Sequence, residues 1–178
     1  MKEVQILDKK FGEFIPEKAI QDRVNELADR INHDFAGREV TFIGVLNGAF
    51  IFASDLFKKI NLRAKITFLK LSSYSGTCSS GSVKKLIGWN EDLKDKNVVI
   101  IEDIVDTGDT LEHTINDLAG RNVSEIKVVT LLLKPAAYTK NIKLDYIGFE
   151  IPGDFVIGYG LDYDGFGRNL PSVYKILL

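Results

Sequence analysis

At 178 residues the chain is long enough to bury roughly 70% of the surface its unfolded form exposes, so a core is available without disulfides or a structural metal. Hydrophobic residues make up 45% and charged residues 27%; 23 basic against 25 acidic side chains leave a net charge of −2 and no basic surplus for nucleic acid. One cysteine, Cys78, excludes an internal disulfide and a cysteine-rich zinc site, and no signal peptide or membrane-spanning run is found, so a cytoplasmic protein binding neither nucleic acid nor membrane is expected.

Val4 to Leu7 reads as a short strand. Pro16 opens a helical pattern in which Ile20, Val24, Leu27 and Ile31 recur on one face. Val40 to Leu46 is a near-continuous apolar run, read as a buried strand, and Asn47-Gly48 breaks it before a helix from Ala49 to Phe57. Ala64 to Leu71 reads as a third strand. A small, polar, flexible segment follows from Ser72 to Ser82, and Val83 to Ile87 resumes as a strand. Val98 to Ile101 is a buried strand that feeds an acidic turn. The next helix runs to about Ala119, with Leu111, Ile115 and Leu118 on one face and Gly120 as its stop. Ile126 to Leu133 is another buried strand, and from about Tyr146 the chain turns to short strands and turns. Strands alternating with helices predict an α/β fold with a mainly parallel sheet, in one domain over residues 1–178.

The informative stretch is Val98 to Leu111, which places Glu102, Asp103, Asp106 and then Thr107-Gly108-Asp109-Thr110 between a strand and a helix. In open α/β sheets ligands sit beyond the carboxyl ends of the strands. Gly108 permits a tight turn, and successive N–H groups at a helix start suit a phosphate, with Thr107 and Thr110 adding hydroxyls. Carboxylates repel a phosphate, so their presence calls for a ligand that also offers hydroxyls or a divalent cation. A phosphorylated ribose bound with Mg²⁺ supplies all three. Helix capping explains one such residue, but not Glu102, Asp103, Asp106 and Asp109 together. Asp106-Thr107-Gly108 also matches the triplet of aspartic proteases, which need two copies on an all-β fold; this chain has one. Neither a P-loop nor a dinucleotide-binding glycine motif is present.

Val98 to Leu111 resembles the 5-phosphoribosyl pyrophosphate (PRPP) signature of type I phosphoribosyltransferases. Further stretches resemble the bacterial hypoxanthine-guanine branch: Gly44 to Ala49, Ser73-Tyr74, Leu133-Lys134, Gly148 to Pro152, Phe155 to Tyr159, Asp162-Tyr163 and Arg168. The resemblance covers about Phe14 to Leu178. It implies the type I phosphoribosyltransferase fold, a central mainly parallel sheet flanked by helices over about 14–140. A small hood would come mainly from 141–178 with N-terminal residues.

The resemblance also implies purine salvage: transfer of the phosphoribosyl group from PRPP to hypoxanthine and guanine, giving IMP or GMP and pyrophosphate. A xanthine-preferring enzyme and a PRPP-sensing regulator that binds nucleic acid are the alternatives. By the same resemblance Glu102 and Asp103 bind the ribose hydroxyls directly or through Mg²⁺, and Asp106, Thr107, Gly108, Asp109 and Thr110 cradle the 5′-phosphate. Asp106 lies beside the purine N7 as the general base. Leu46, Asn47 and Gly48 form a pyrophosphate loop with a non-proline cis peptide, many relatives carrying lysine where this chain has Asn47. Arg168 joins them on the pyrophosphate, and Asp162 joins Glu102 and Asp103 around the metal. Lys134 donates to the purine O6, Phe155 stacks on the ring and the Val156 backbone meets its edge. Ser73 and Tyr74 begin a mobile loop that closes over the site. A homodimer or homotetramer is implied. On their own residues, His113, His33, Cys78 and Trp89 show no pattern pointing to chemistry.

Overall fold

The computed structural model describes residues 2–73, 83–87 and 91–177. The loop expected from Tyr74, with Cys78 in it, and Trp89 lie outside the described residues. Two sheets organise the chain. The larger has six strands in the order β5-β4-β3-β6-β7-β8: β3 (Glu39–Leu46), β4 (Arg63–Ser73), β5 (Val83–Ile87), β6 (Asn97–Val105), β7 (Glu125–Leu133) and β8 (Tyr146–Glu150). Five of these run parallel, and β5 pairs antiparallel on the β4 edge.

The apolar runs are near-continuous because both faces of this sheet are covered. Along β3 and β6 the side chains alternate. Val40, Phe42, Val99 and Ile101 pack with α1 (Glu17–Asp34) and α2 (Phe50–Phe57), whereas Ile43, Val45, Val98 and Ile100 pack with Leu111 and Leu118 of α3 (Asp109–Ala119). The helical spacing of Ile20, Val24, Leu27 and Ile31 is the buried stripe of α1.

The chain leaves β3 for β4 on one side and later returns to β6 on the other, so the strand order reverses between β3 and β6. That is where open α/β sheets form their crevice, and the loops after β3, β6 and β7 all open there.

Two elements depart from expectation. β8 is the parallel edge strand of the main sheet, so that sheet reaches Glu150 and not only about residue 140. The smaller antiparallel sheet takes β1 (Glu3–Ile6), β2 (Lys9–Ile15), β9 (Val156–Ile157) and β10 (Val173–Ile176) in the order β1-β2-β10-β9. β2 is absent from the sequence reading because Lys9, Lys10, Gly12 and Glu13 disguise its alternation; only Phe11, Gly12 and Ile15 of it are buried.

This sheet is stitched to the body through Ser172. The backbone N–H of Glu17, in the first turn of α1, donates to Ser172 Oγ (3.0 Å), whose hydroxyl donates to Glu13 Oε1 (2.9 Å). Pro16 has no side chain to cap the helix, so a residue from the far end of the chain does it. Ser172→Ala is expected to cost about 1–2 kcal/mol, which thermal denaturation reads as a melting temperature lower by roughly 2–8 °C. No described helix is long and apolar enough to cross a membrane.

Candidate active site

β6 runs four residues beyond Ile101, so Glu102 and Asp103 are strand residues and not part of a turn. The register holds them there: Glu102 pairs with Thr130, Ile104 with Leu132 and Val105 with Leu133 of β7. At this end of the strand Glu102 and Asp103 both line one cavity. Glu102 is 4% exposed, and its Oε1 is buried without a hydrogen-bond partner among the described residues. Burial, with Asp103 next to it, pushes the Glu102 carboxyl well above the usual range. Burial likewise raises Asp103 to about 6, against the lowering effect of backbone N–H groups, one of them the Ile104 N–H at 2.9 Å, and of Arg168. A buried carboxylate oxygen without a donor is costly, and a cation or a ligand hydroxyl is what would satisfy it.

After Val105 the chain turns through Asp106, Thr107 and Gly108 into α3. Gly108 sits at φ +90°, in the left-handed region, and a side chain there would press on Tyr138 and Lys140. The turn encloses a cavity of about 100 Å³ lined by Asp106 to Leu111 with Glu102 behind. The Thr107 hydroxyl donates to Asp109 Oδ2 (2.9 Å). A larger cavity of about 380 Å³ adjoins it and shares Glu102, Asp109 and Thr110, with Leu46, Gly48 and Asp103 on its β3 side. Two adjoining spaces, one at the turn that opens α3 and one against Glu102 and Asp103, can take a phosphate and a polyhydroxylated or metal-bearing group side by side.

Beyond β3, the Leu46–Asn47 peptide is cis and Asn47 is exposed. Gly48 lies so close to Asp103 that a Cβ would overlap its carboxylate, and a Cβ on Gly160 (φ +104°) would overlap the Gly48 carbonyl. The turn after β3 is thus wedged between the acidic strand and the C-terminal segment. Arg168 holds that segment: its guanidinium donates to the Gly160 carbonyl (2.6 Å) and pairs with Asp162 (2.6 Å), which also accepts the Gly165 N–H (2.7 Å). Among the described residues no three carboxylate, histidine or cysteine side chains are gathered to hold an ion by themselves. Glu102, Asp103 and Asp162 therefore do not form a ready cage, since Asp162 is turned to Arg168. Mg²⁺ does not require one; it keeps several waters and is held by one or two carboxylates plus substrate oxygens.

Lys134 follows the last residue of β7, and its Nζ lies 2.9 Å from Asp106 Oδ2. Phe155 directly precedes β9 of the smaller sheet, 45% exposed, edge-on to Tyr163 (5.9 Å between ring centroids) and near Phe11 (6.4 Å). Val156, in β9, is buried. Of the remaining expected residues, Ser73 ends β4 and Tyr74 lies outside the described residues. Four residues of the site carry no recognisable sequence signal: Tyr138 and Lys140, which lie over Gly108; Gly160; and His113, exposed on α3 and lining the larger cavity.

A family described as phosphoribosyl transferase domain matches residues 13–164. The chain belongs to the phosphoribosyltransferase family. Within that family it is similar to hypoxanthine phosphoribosyltransferase of Escherichia coli, 37% identical over 167 residues that cover 92% of this chain and 94% of the relative. It is also similar to the bifunctional TilS/HprT protein of Listeria monocytogenes, 40% identical over 160 residues; these cover 89% of this chain, which spans about a quarter (25%) of that relative's length. The solved hypoxanthine phosphoribosyltransferase of Staphylococcus aureus superposes with a TM-score of 0.88 at 38% identity, covering 93% of this chain and 91% of the other. The parallel sheet flanked by helices is the phosphoribosyltransferase fold.

Proposed function

We propose that the protein is a purine-salvage enzyme that transfers the 5-phosphoribosyl group of PRPP to hypoxanthine and to guanine. A purine nitrogen forms a bond to C1 of the ribose, the C1–O bond to pyrophosphate breaks, and IMP or GMP and pyrophosphate leave. The observation that carries this reading is the meeting, in adjoining cavities, of a glycine-led helix start with a buried carboxylate that has no partner. Relatives at these identities are named for hypoxanthine or hypoxanthine-guanine, so a xanthine-preferring enzyme is not favoured.

In this reading the backbone of Thr107 to Thr110 holds the 5′-phosphate, and Glu102 and Asp103 hold the ribose hydroxyls. Both carboxylates also fit a Mg²⁺ ion, because the Glu102 oxygen without a partner among the described residues is the acceptor such an ion needs; Asp162 would join them on leaving Arg168. When bound, the ion supplies charge neutralisation on the departing pyrophosphate. Leu46, Asn47 and Gly48 offer backbone groups to the pyrophosphate, and Arg168 adds a guanidinium. Asp106 takes the proton at the purine N7, or stabilises positive charge on the ring as C1 becomes oxocarbenium-like. Lys134 donates to O6, Phe155 stacks on the ring, and the Val156 backbone meets the ring edge. Ser73 and Tyr74 open a loop that closes to keep water from C1. A cytoplasmic location and a homodimer or homotetramer go with the reading; light scattering on the purified protein measures the latter.

The test is base selectivity. With PRPP and Mg²⁺, hypoxanthine and guanine are expected to be converted and adenine not, because its 6-amino group cannot accept the Lys134 hydrogen bond. Adenine turned over as fast as hypoxanthine would contradict the reading. Phe155→Ala is expected to raise the KM for hypoxanthine roughly 3- to 10-fold, the worth of one ring contact, and to leave the KM for PRPP within about twofold.

A further inference from the structure

The phosphate turn carries charge of the wrong sign for its ligand. Asp109 opens α3 and Glu112 completes the first turn. Two carboxylates there suit the helix dipole and oppose a phosphate seated on the same N–H groups. The structure answers this with one side chain. Lys140 Nζ lies 2.8 Å from Asp109 Oδ1 and 2.8 Å from Glu112 Oε2.

Its stem is part of the turn as well. A Cβ on Gly108 would come within 2.8 Å of Lys140 Cγ and 2.6 Å of Tyr138 Cε2, so the segment carrying these residues lies directly on the glycine. The Tyr138 hydroxyl donates to the Ile142 carbonyl (2.6 Å) and fixes that segment. The Lys140 side chain is 22% exposed, against 66% for Asp109 and 44% for Glu112. An ordinary surface pair of this kind is worth little. Here one ammonium is shared by two carboxylates at an anion cradle, with its stem packed on the glycine that shapes the cradle.

We propose that Lys140 is a positioning residue for the 5′-phosphate: it draws the Asp109 and Glu112 carboxylates onto itself and cancels their repulsion of the phosphate. This rests on the reading that Thr107 to Thr110 hold that phosphate. The Asp109 carboxyl lies below its usual range because Lys140 and Thr107 donate to it, so it is ionised at neutral pH and needs a counter-charge.

The experiment compares wild type, Lys140→Gln, and Lys140→Gln with Asp109→Asn. It measures kcat, the KM for PRPP, the KM for hypoxanthine, and the affinity for IMP by calorimetry. Lys140→Gln is expected to raise the KM for PRPP and the Kd for IMP about tenfold, as two uncompensated charges beside a phosphate would. The KM for hypoxanthine should stay within about twofold. Adding Asp109→Asn should recover a clear part of the lost IMP affinity, because it removes one of the two charges that Lys140 had offset. A purely structural lysine would give no such recovery. An unchanged IMP affinity in Lys140→Gln, or a double variant as weak as the single one, overturns the proposal. A wild-type protein that neither binds IMP nor forms it would instead sink the reading on which the proposal rests.

Discussion

Asp106→Ala is expected to lower turnover by roughly 10²-fold or more, the usual worth of a positioned acid–base group. The carboxylate follows the last residue of β6, is 48% exposed as a side chain, and meets Lys134 Nζ at 2.9 Å. Lys134 is only 12% exposed, and each group is the other's partner. In the proposed reading a 6-oxopurine would come between them, with O6 accepting from the lysine and N7 presenting its proton, or its developing charge, to the aspartate. Asp106→Ala removes the second contact and leaves the lysine ammonium without its anion, which is a further cost. Asp106→Asn keeps the shape and a neutral acceptor for Lys134 but has no carboxylate, so comparing it with Asp106→Ala divides the loss of charge from the loss of the side chain. Steady-state kinetics at saturating PRPP are the measurement. A kcat within threefold of wild type in Asp106→Ala would remove Asp106 from the chemistry.

The second large effect concerns the donor side. Glu102→Gln combined with Asp103→Asn is expected to raise the KM for PRPP by about 10²-fold, because the two carboxylates are the proposed acceptors for ribose hydroxyls and a cation. Purine affinity should change little. The same variant should be more stable than wild type in metal-free buffer. Both carboxyl groups titrate higher in the folded protein than in the unfolded chain, mainly through burial. A raised acid is no burden below its unfolded pKa, near 4; its cost to folding grows as pH rises from there and is complete once pH exceeds its folded pKa. Wild-type stability should therefore fall as pH rises from about 4 through 6 and beyond, and the amide variant should lack that decline. Melting curves at pH 4 to 8 with a chelator present measure it. A variant with weaker purine binding and unchanged KM for PRPP would contradict the placement of these two residues.

Much of this was readable in the chain itself, for identifiable reasons. Val40 to Leu46 and Ile126 to Leu133 stand out because helices cover both faces of their sheet, leaving no polar alternation to confuse the pattern. The stripe of α1 shows at helical spacing. Glu102 and Asp103 were visible as chemistry and misplaced as structure: two acids look like the end of a strand, yet backbone pairing with β7 carries β6 to Val105. What the chain did not reveal is long-range. Ser172 caps a helix 155 residues away, Gly160 meets Gly48 across the site, and Lys140 reaches back 28 residues to Glu112. Each depends on which turns the fold brings together, and no local pattern encodes that. The Asp162–Arg168 pair is a similar case: two expected ligand-binding residues satisfy each other at 2.6 Å.

The cavities beside Glu102 and Gly108 are proposed to bind PRPP and deliver its ribose to a purine. The most direct measurement mixes the purified protein with PRPP, Mg²⁺ and hypoxanthine and follows IMP and pyrophosphate. Both products should form in equal amounts, and withholding Mg²⁺ with a chelator should stop them. No nucleotide from hypoxanthine, guanine, xanthine or adenine would contradict the claim.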